Sequence, residues 1–121
     1  LKKIIDVVHP LVRKGMNNFL KKNYKTKMVV LDIPLLVENK MYDKKFVLIY
    51  IEAKKYNINK KIKKRSNFNK VLINNFRKLQ TSTKIKKNLS QYVIKNNFKL
   101  SSIKKSVKLI KNQILNERNS T

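Results

Sequence analysis

The chain has 121 residues, of which 41% are hydrophobic, so it has enough apolar material for a folded core and wholesale disorder is not expected. It contains no cysteine, which excludes disulfide bonds, thiolate chemistry and cysteine-based zinc sites and fits a cytoplasmic location. No apolar run reaches the roughly 18 residues of a membrane span, and the formal net charge of +25 would suit an anionic partner such as nucleic acid.

The positive charge has two interpretations, and the arginine content separates them. A surface selected to bind phosphate would be rich in arginine, because the planar guanidinium pairs bidentately with phosphate. Only four of the 31 basic residues are arginines. Lysine, asparagine and isoleucine, which all have AT-rich codons, dominate the composition instead. We therefore interpret the charge chiefly as a compositional bias, and nucleic acid is not the expected partner.

The first predicted elements are a helix and a strand. Apolar residues recur at spacings of three and four over residues 1–22, which predicts an amphipathic helix that Pro10 should kink. A polar turn over residues 23–26 follows. Residues 28–33 form a short apolar, β-branched run that Pro34 stops, and this pattern predicts a buried parallel strand.

The rest of the chain alternates between helices and short apolar runs. A polar loop leads to a second predicted strand over residues 46–51. The elements predicted after it are a basic helix over 54–64, helices over 70–80 and 83–89, a brief strand over 92–94 and a final helix that carries Ile103, Val107, Ile110 and Ile114. Short apolar strands separated by helices imply an α/β fold, in which helices cover both faces of a parallel sheet.

The most informative segment runs from Val30 to Asn39, where the first predicted strand passes into Pro-Leu-Leu and then an acid. In open α/β sheets, ligands bind beyond the carboxyl ends of the strands. Leu35 and Leu36 would therefore form an apolar ledge where a ligand is expected. An ordinary exit from a strand into a loop gives the same pattern, and the proline alone would favour that alternative.

Several motifs resemble those of dephospho-CoA kinases. The segment Pro34-Leu35-Leu36-Val37-Glu38 resembles the family's Pro-Leu-Leu-Phe/Val-Glu motif, and His9-Pro10-Leu11-Val12 is similar to its His-Pro-hydrophobic-Val helix motif. Lys61 and Arg65 stand where the family has two arginines on the helix that leads to its lid, and Lys87 stands at the position of a basic lid residue. Residues 92–97 resemble the family's last strand and the Asn that follows it near adenine. These motifs occur in the family's order and at its intervals.

The chain also departs from the family's pattern. Ile58 replaces a Gln before the arginine pair, Gln91 replaces the usual Asp before the last strand, and Phe98 replaces the usual Gly after the final Asn. Lysines at 61 and 87 keep the positive charge but lose the bidentate pairing of arginine with phosphate.

The largest departure concerns the phosphate-binding loop. Kinases of this kind need the sequence G-x-x-x-x-G-K-[ST], and the chain has a single glycine, Gly15, so it cannot contain that loop. In the family's fold the strand before this loop lies between the strands that correspond to 28–33 and 46–51. We therefore expect a fold that is incomplete at its N-terminus, and a chain that is poorly stable and inactive by itself.

The resemblance implies a P-loop nucleotide kinase-like fold, with a three-layer parallel sheet, in one partial domain over residues 1–121 that includes lid helices at about 54–89. The implied reaction is the ATP-dependent phosphorylation of the ribose 3′-hydroxyl of dephospho-CoA, the last step of coenzyme A biosynthesis. The residues implied on the substrate side are His9, Arg13, Leu35, Leu36 and Glu38, and those implied on the ATP side are Arg65, Lys87 and Asn96. No catalytic residue and no metal site are expected within this chain, because the ligands of Mg²⁺ and the phosphate loop would lie outside it.

Two alternatives remain open. The chain could be a basic RNA-binding protein, which would explain the charge but not the Pro-Leu-Leu segment. The sequence, however, lacks the interleaved aromatic residues and glycines of a surface on which bases stack. It could also be another P-loop nucleoside or nucleotide kinase of similar architecture. Binding that falls steeply with salt would favour the first, and preference for simple nucleosides would favour the second.

Overall fold

A computed structural model describes residues 2–119 of the chain, with side chains described from residue 8 to residue 117. The chain divides into two compact units, of which one ends at Asp43 and the other begins at Lys44. The expectation of one partial domain over 1–121 stays a prediction.

The N-terminal unit is built on one long helix. Helix α1 spans Lys2–Lys22 and continues through Pro10, as its apolar spacing predicted, while the kink at Pro10 stays a prediction. The helix is followed by Asn23, whose backbone N–H and side-chain amide both donate to the carbonyl of Phe19, at 3.1 and 2.8 Å. The single glycine, Gly15, lies inside α1, so the structure places it in a helix and not in a loop.

The strand predicted over residues 28–33 is wrong. These residues belong to no helix and no strand, and the side chain of Val30 is 81% exposed. An apolar run becomes a strand only where a neighbouring strand exchanges backbone hydrogen bonds with it. The described residues of this unit contain no other strand, so these residues have no partner with which to form a sheet.

The Pro-Leu-Leu segment opens a compact turn over residues 34–40. The N–H of Asn39 and its side-chain amide both donate to the carbonyl of Leu35, at 3.0 and 2.9 Å. The N–H of Met41 donates to the carbonyl of Leu36 at 3.0 Å, and Met41 is only 2% exposed. Leu35 and Lys40 have left-handed backbone conformations, with φ of 55° and 48°. The turn is therefore fixed by its own hydrogen bonds.

The C-terminal unit contains a small parallel sheet and four helices. Strand β1 (Ile49–Glu52) pairs in parallel with β2 (Tyr92–Lys95), and Ile49 lies opposite Tyr92. The helices are α2 (Lys55–Lys63), α3 (Lys70–Leu79) and α4 (Thr83–Leu89), which connect the two strands, and α5 (Leu100–Asn119), which follows β2. The predicted strand over 46–51 begins three residues late, whereas the other elements of this unit lie where they were predicted.

The core of this unit lies where α5 packs against β2. The buried side chains there are Leu48, Ile94, Ile110 and Ile114. The hydroxyl of Tyr92 donates to Glu117 Oε1 at 3.1 Å, which ties the strand to the helix. On β1, Ile49 and Ile51 remain 40% and 53% exposed. The described residues thus form an α/β fold with a small parallel sheet, compatible with an incomplete P-loop kinase-like fold, and a three-layer sheet stays a prediction.

Candidate functional site

The candidate site of the C-terminal unit lies beyond the carboxyl ends of its two strands. Strand β1 ends at Glu52 and leads into α2, and β2 ends at Lys95 and leads into α5. The N–H of Asn96 donates to the carbonyl of Glu52 at 2.7 Å, so the two exits lie side by side. Loops at the carboxyl ends of parallel strands are the usual place for ligands in α/β proteins.

The loop after β2 is held in shape by two asparagines. Asn96 Oδ1 accepts a hydrogen bond from the N–H of Phe98 at 2.8 Å, and Asn97 Oδ1 accepts one from the N–H of Lys99 at 3.0 Å. Each is a side chain that bonds the backbone two residues later, which fixes a tight turn. Phe98 has a φ of 62°, in the left-handed region that favours glycine. The backbone therefore has the conformation for which glycine is suited, although the residue is a phenylalanine.

This loop and helix α2 together line a cavity of about 300 Å³ that is open to solvent, hereafter the cationic cavity. Its lining residues are Asn57, Lys60, Lys61, Lys64, Asn97 and Phe98. Lys61 Nζ lies 5.5 Å from the centre of the Phe98 ring, which is a cation–π contact. The lining contains three ammonium groups and no carboxylate, so the cavity is suited to an anion. Its volume is at the lower end of the range for small-molecule sites.

The lysines of this cavity have a local reason to be there. The last turn of α2 is basic, and cations are favoured at a helix C-terminus by the helix dipole. Lys60 and Lys64 are four residues apart and therefore lie on one face, where their like charges repel. A bound polyanion would relieve that repulsion. A solvated basic face is the ordinary role of such a run, but here the face meets a structured loop and an aromatic ring.

An ion pair lies at the end of β1. Lys87 Nζ, on α4, donates to Glu52 Oε1 at 2.8 Å. The hydrogen bond from Lys87 and its positive charge hold the pKa of the Glu52 carboxyl below its usual value. Because the backbone of Glu52 also binds Asn96, two of the residues implied on the ATP side meet at Glu52.

The opposite end of the sheet is held by Gln91. Its side-chain oxygen accepts from the N–H of Leu48 at 2.7 Å, and its own N–H donates to the carbonyl of Leu48 at 3.0 Å. An amide oxygen accepts this hydrogen bond as a carboxylate oxygen would. The position that departs from the usual Asp therefore has a structural role at the amino ends of the strands.

Comparison with known proteins identifies the family of the chain. Residues 1–102 match the family model described as dephospho-CoA kinase, and this stretch is most of the chain. The chain belongs to the dephospho-CoA kinase family. The resemblance seen in the sequence motifs is thereby confirmed. Searches of curated proteins and of solved structures find no match.

Membership of the dephospho-CoA kinase family indicates a kinase that uses ATP, with Mg²⁺, and CoA-related small molecules. The residues implied on the ATP side take different places. Asn96 shapes the loop after β2, Lys87 is paired with Glu52, and Arg65 lies exposed in the turn that follows α2. Arg65 does not line the cationic cavity, whereas Lys61, at the other position of the family's arginine pair, does.

None of the six residues that line the cationic cavity is among the residues implied on the ATP side, although Lys61 stands at one position of the family's arginine pair. The spacing of Lys60 and Lys64 and the tandem asparagines after β2 are signals that could have identified three of them. The contribution of the Phe98 ring was missed because its position was considered only as a departure from the family's glycine.

The residues implied on the substrate side belong to the N-terminal unit. Arg13 Nη2 donates to the carbonyl of Asn39 in a long contact of 3.4 Å, which joins α1 to the turn over 34–40. His9 lies one turn before Arg13 on the same face of α1 and is half-buried. In that turn the side chains of Leu35, Leu36 and Glu38 are half-buried. The structure thus brings the turn to Arg13, and the binding roles of all five stay predictions.

Within residues 2–119, no three of the side chains that the structure describes, from His, Asp or Glu, lie close enough together to hold a metal ion. None of the helices in that range combines the length and the apolar character needed to cross a membrane.

Proposed function

We propose that this chain takes part in the ATP-dependent phosphorylation of the ribose 3′-hydroxyl of dephospho-CoA, and that the cationic cavity is where it binds ATP. The observation that carries the proposal is the match to the dephospho-CoA kinase family over residues 1–102, which include both the turn with Leu35 and the cationic cavity. The position of the cavity beyond the carboxyl ends of β1 and β2 supports the ATP assignment.

On the ATP side, the proposal assigns the phosphates to the ammonium groups of α2. Phosphoryl transfer is catalysed mainly by positioning and by neutralising the charge on the transferred group. Lys60, Lys61 and Lys64 supply positive charge at the cavity. Arg65 follows them in an exposed turn, and in this proposal its guanidinium would bind the same phosphates. Lys87, which is paired with Glu52, would contribute a further positive charge near Asn96.

On the acceptor side, the proposal assigns dephospho-CoA to α1 and the turn over 34–40. Leu35 and Leu36 would contact the apolar parts of the acceptor, while His9, Arg13 and Glu38 would bind its polar groups. The contact between Arg13 and Asn39 supports a shared role for helix and turn. We further propose that the phosphate loop and the Mg²⁺ ligands come from residues outside this sequence, because its single glycine lies within α1.

The test is a transfer assay with the full-length polypeptide that contains these residues. ADP formation should depend on dephospho-CoA, and the product should be CoA with its new phosphate on the ribose 3′-oxygen, as fragmentation in a mass spectrometer would show. Adenosine and other simple nucleosides should not replace dephospho-CoA. Phosphate transfer to nucleosides in place of dephospho-CoA, or a rate of ADP formation that does not depend on dephospho-CoA, would contradict the proposal.

A matched pair of variants tests the cavity. Lys64→Gln removes a charge from the cavity and should weaken ATP binding several-fold, because a solvent-exposed charge pair is worth up to about 1 kcal/mol. Lys108→Gln removes the same charge from α5, where Lys108 is exposed and outside the lining, and should leave ATP binding unchanged. Equal effects of the two variants would mean that only the net charge matters.

Measurements with RNA test the alternative that the charge suggests. For a kinase with a local phosphate site, binding of generic RNA should be weak at physiological salt. Tight RNA binding that falls steeply with salt, without transfer to dephospho-CoA, would favour a nucleic-acid-binding protein.

A further inference from the structure

Phe98 is the aromatic residue of the cationic cavity, and its backbone conformation makes its presence informative. A φ of 62° is disfavoured for a bulky side chain, because Cβ crowds the backbone there. Strain of this kind persists where the surrounding structure enforces it, and it concentrates at functional sites. The side chains of Asn96 and Asn97 enforce this conformation, and the Phe98 side chain is 40% exposed, so its ring is accessible to a ligand.

The face of the ring is already used by a cation. Lys61 Nζ lies over the Phe98 ring at 5.5 Å, and both residues line the cavity. An exposed cation–π contact is weaker than the stacking of a nucleobase on an aromatic ring. A base that entered the cavity would therefore displace the ammonium group. The flexible four-carbon stem of Lys61 would allow that group to turn towards phosphate instead.

We propose that Phe98 is the platform on which the base of a purine nucleotide stacks, and that Lys60, Lys61 and Lys64 bind the phosphates of the same nucleotide. This inference deepens the proposed function, since it rests on ATP as the nucleotide of the cavity. It adds to that function a base-binding residue at a position where the family usually has a glycine, which has no ring to offer.

The base and the phosphates can be tested separately by calorimetry on the full-length polypeptide. The ligands are ATP and inorganic tripolyphosphate, which carries the phosphates without a base. Phe98→Ala and Phe98→Gly should each weaken ATP binding about ten-fold, the size expected for one lost stacking contact. Both should leave tripolyphosphate binding unchanged, and Phe98→Tyr, which keeps the ring, should bind ATP as the wild type does. Unchanged ATP affinity in the ringless variants, or an equal loss for both ligands, would overturn the inference.

A fluorescent variant gives a second readout that does not depend on removing the ring. The 121 residues contain no tryptophan. Phe98→Trp therefore introduces an indole at the proposed platform. ATP should quench its emission by stacking, and tripolyphosphate should not. No quenching by ATP at concentrations that saturate binding would contradict the inference.

The same variants separate this inference from the proposed function. Wild-type protein that forms CoA, with Phe98 variants that bind ATP normally, would refute the platform alone. Base-dependent loss of ATP affinity in the Phe98 variants, in a protein that transfers no phosphate to dephospho-CoA, would support the platform and refute the proposed reaction.

Discussion

The left-handed conformation of Phe98 leads to a quantitative prediction about stability. Phe98→Ala and Phe98→Gly remove the same ring, so the loss of ring packing is common to both. They differ because a side chain with Cβ costs about 1–2 kcal/mol in the left-handed region, whereas glycine adopts it freely. The greater freedom of glycine in the unfolded chain offsets about 0.4–1 kcal/mol of this difference. The glycine variant should therefore be more stable than the alanine variant by about 1 kcal/mol.

Urea unfolding followed by circular dichroism measures this difference, and thermal melting should show a shift of a few degrees, on the order of 4 °C. Gly15 provides an internal control of opposite sign. It lies inside α1, where an added Cβ would meet nothing within 4 Å, so Gly15→Ala should stabilise the protein by about 0.5–1 kcal/mol. If the Phe98→Ala and Phe98→Gly variants have the same free energy of unfolding, residue 98 does not have a left-handed backbone conformation in the protein.

Three further predictions concern the C-terminal unit and the chain as a whole. Gln91→Leu should destabilise by about 1–3 kcal/mol in urea unfolding, because it leaves the Leu48 N–H without its acceptor, whereas Gln91→Glu keeps an oxygen there and should change little. The pKa of Glu52 is lowered in the folded state, so its ionised carboxylate stabilises the protein above the ordinary glutamate pKa, and this contribution disappears as the pH falls through the lowered pKa. The difference in melting temperature between wild type and Glu52→Gln should therefore shrink on acidification. A difference that stays constant with pH would contradict the ion pair with Lys87. The 121 residues by themselves should melt broadly in calorimetry and transfer no phosphate, because few of the described apolar side chains are buried and the described sheet has two strands. A sharp transition at high temperature would contradict this prediction.

The helices and one strand of the fold could be predicted from the sequence because their signals are local. The predicted helix over 83–89 is α4, and the predicted helix over 54–64 differs from α2 by one residue at each end. The strand predicted over 92–94 is β2, which extends one residue further. The strand predicted over 28–33 failed because an apolar run does not specify its partner, and strands exist only as pairs.

The candidate site was predictable only in part, for a related reason. Family motifs identified Lys61 and Asn96, which the structure places at the cavity and in the loop that forms it. The contact between Lys61 and Phe98 joins residues far apart in sequence, and no local pattern predicts it. The conformation of Phe98 depends on backbone hydrogen bonds that the side-chain oxygens of the two preceding asparagines accept. A comparison of residue types with the family's glycine does not consider these bonds.

The most direct test of the central claim is to locate bound ATP on the full-length polypeptide by nuclear magnetic resonance. Titration with a non-hydrolysable ATP analogue should shift the backbone amide signals of Lys61, Lys64, Asn97 and Phe98 together, with one saturation curve. Saturable shifts confined to other parts of the chain, with these four signals unmoved, would show that the cationic cavity is not the nucleotide site.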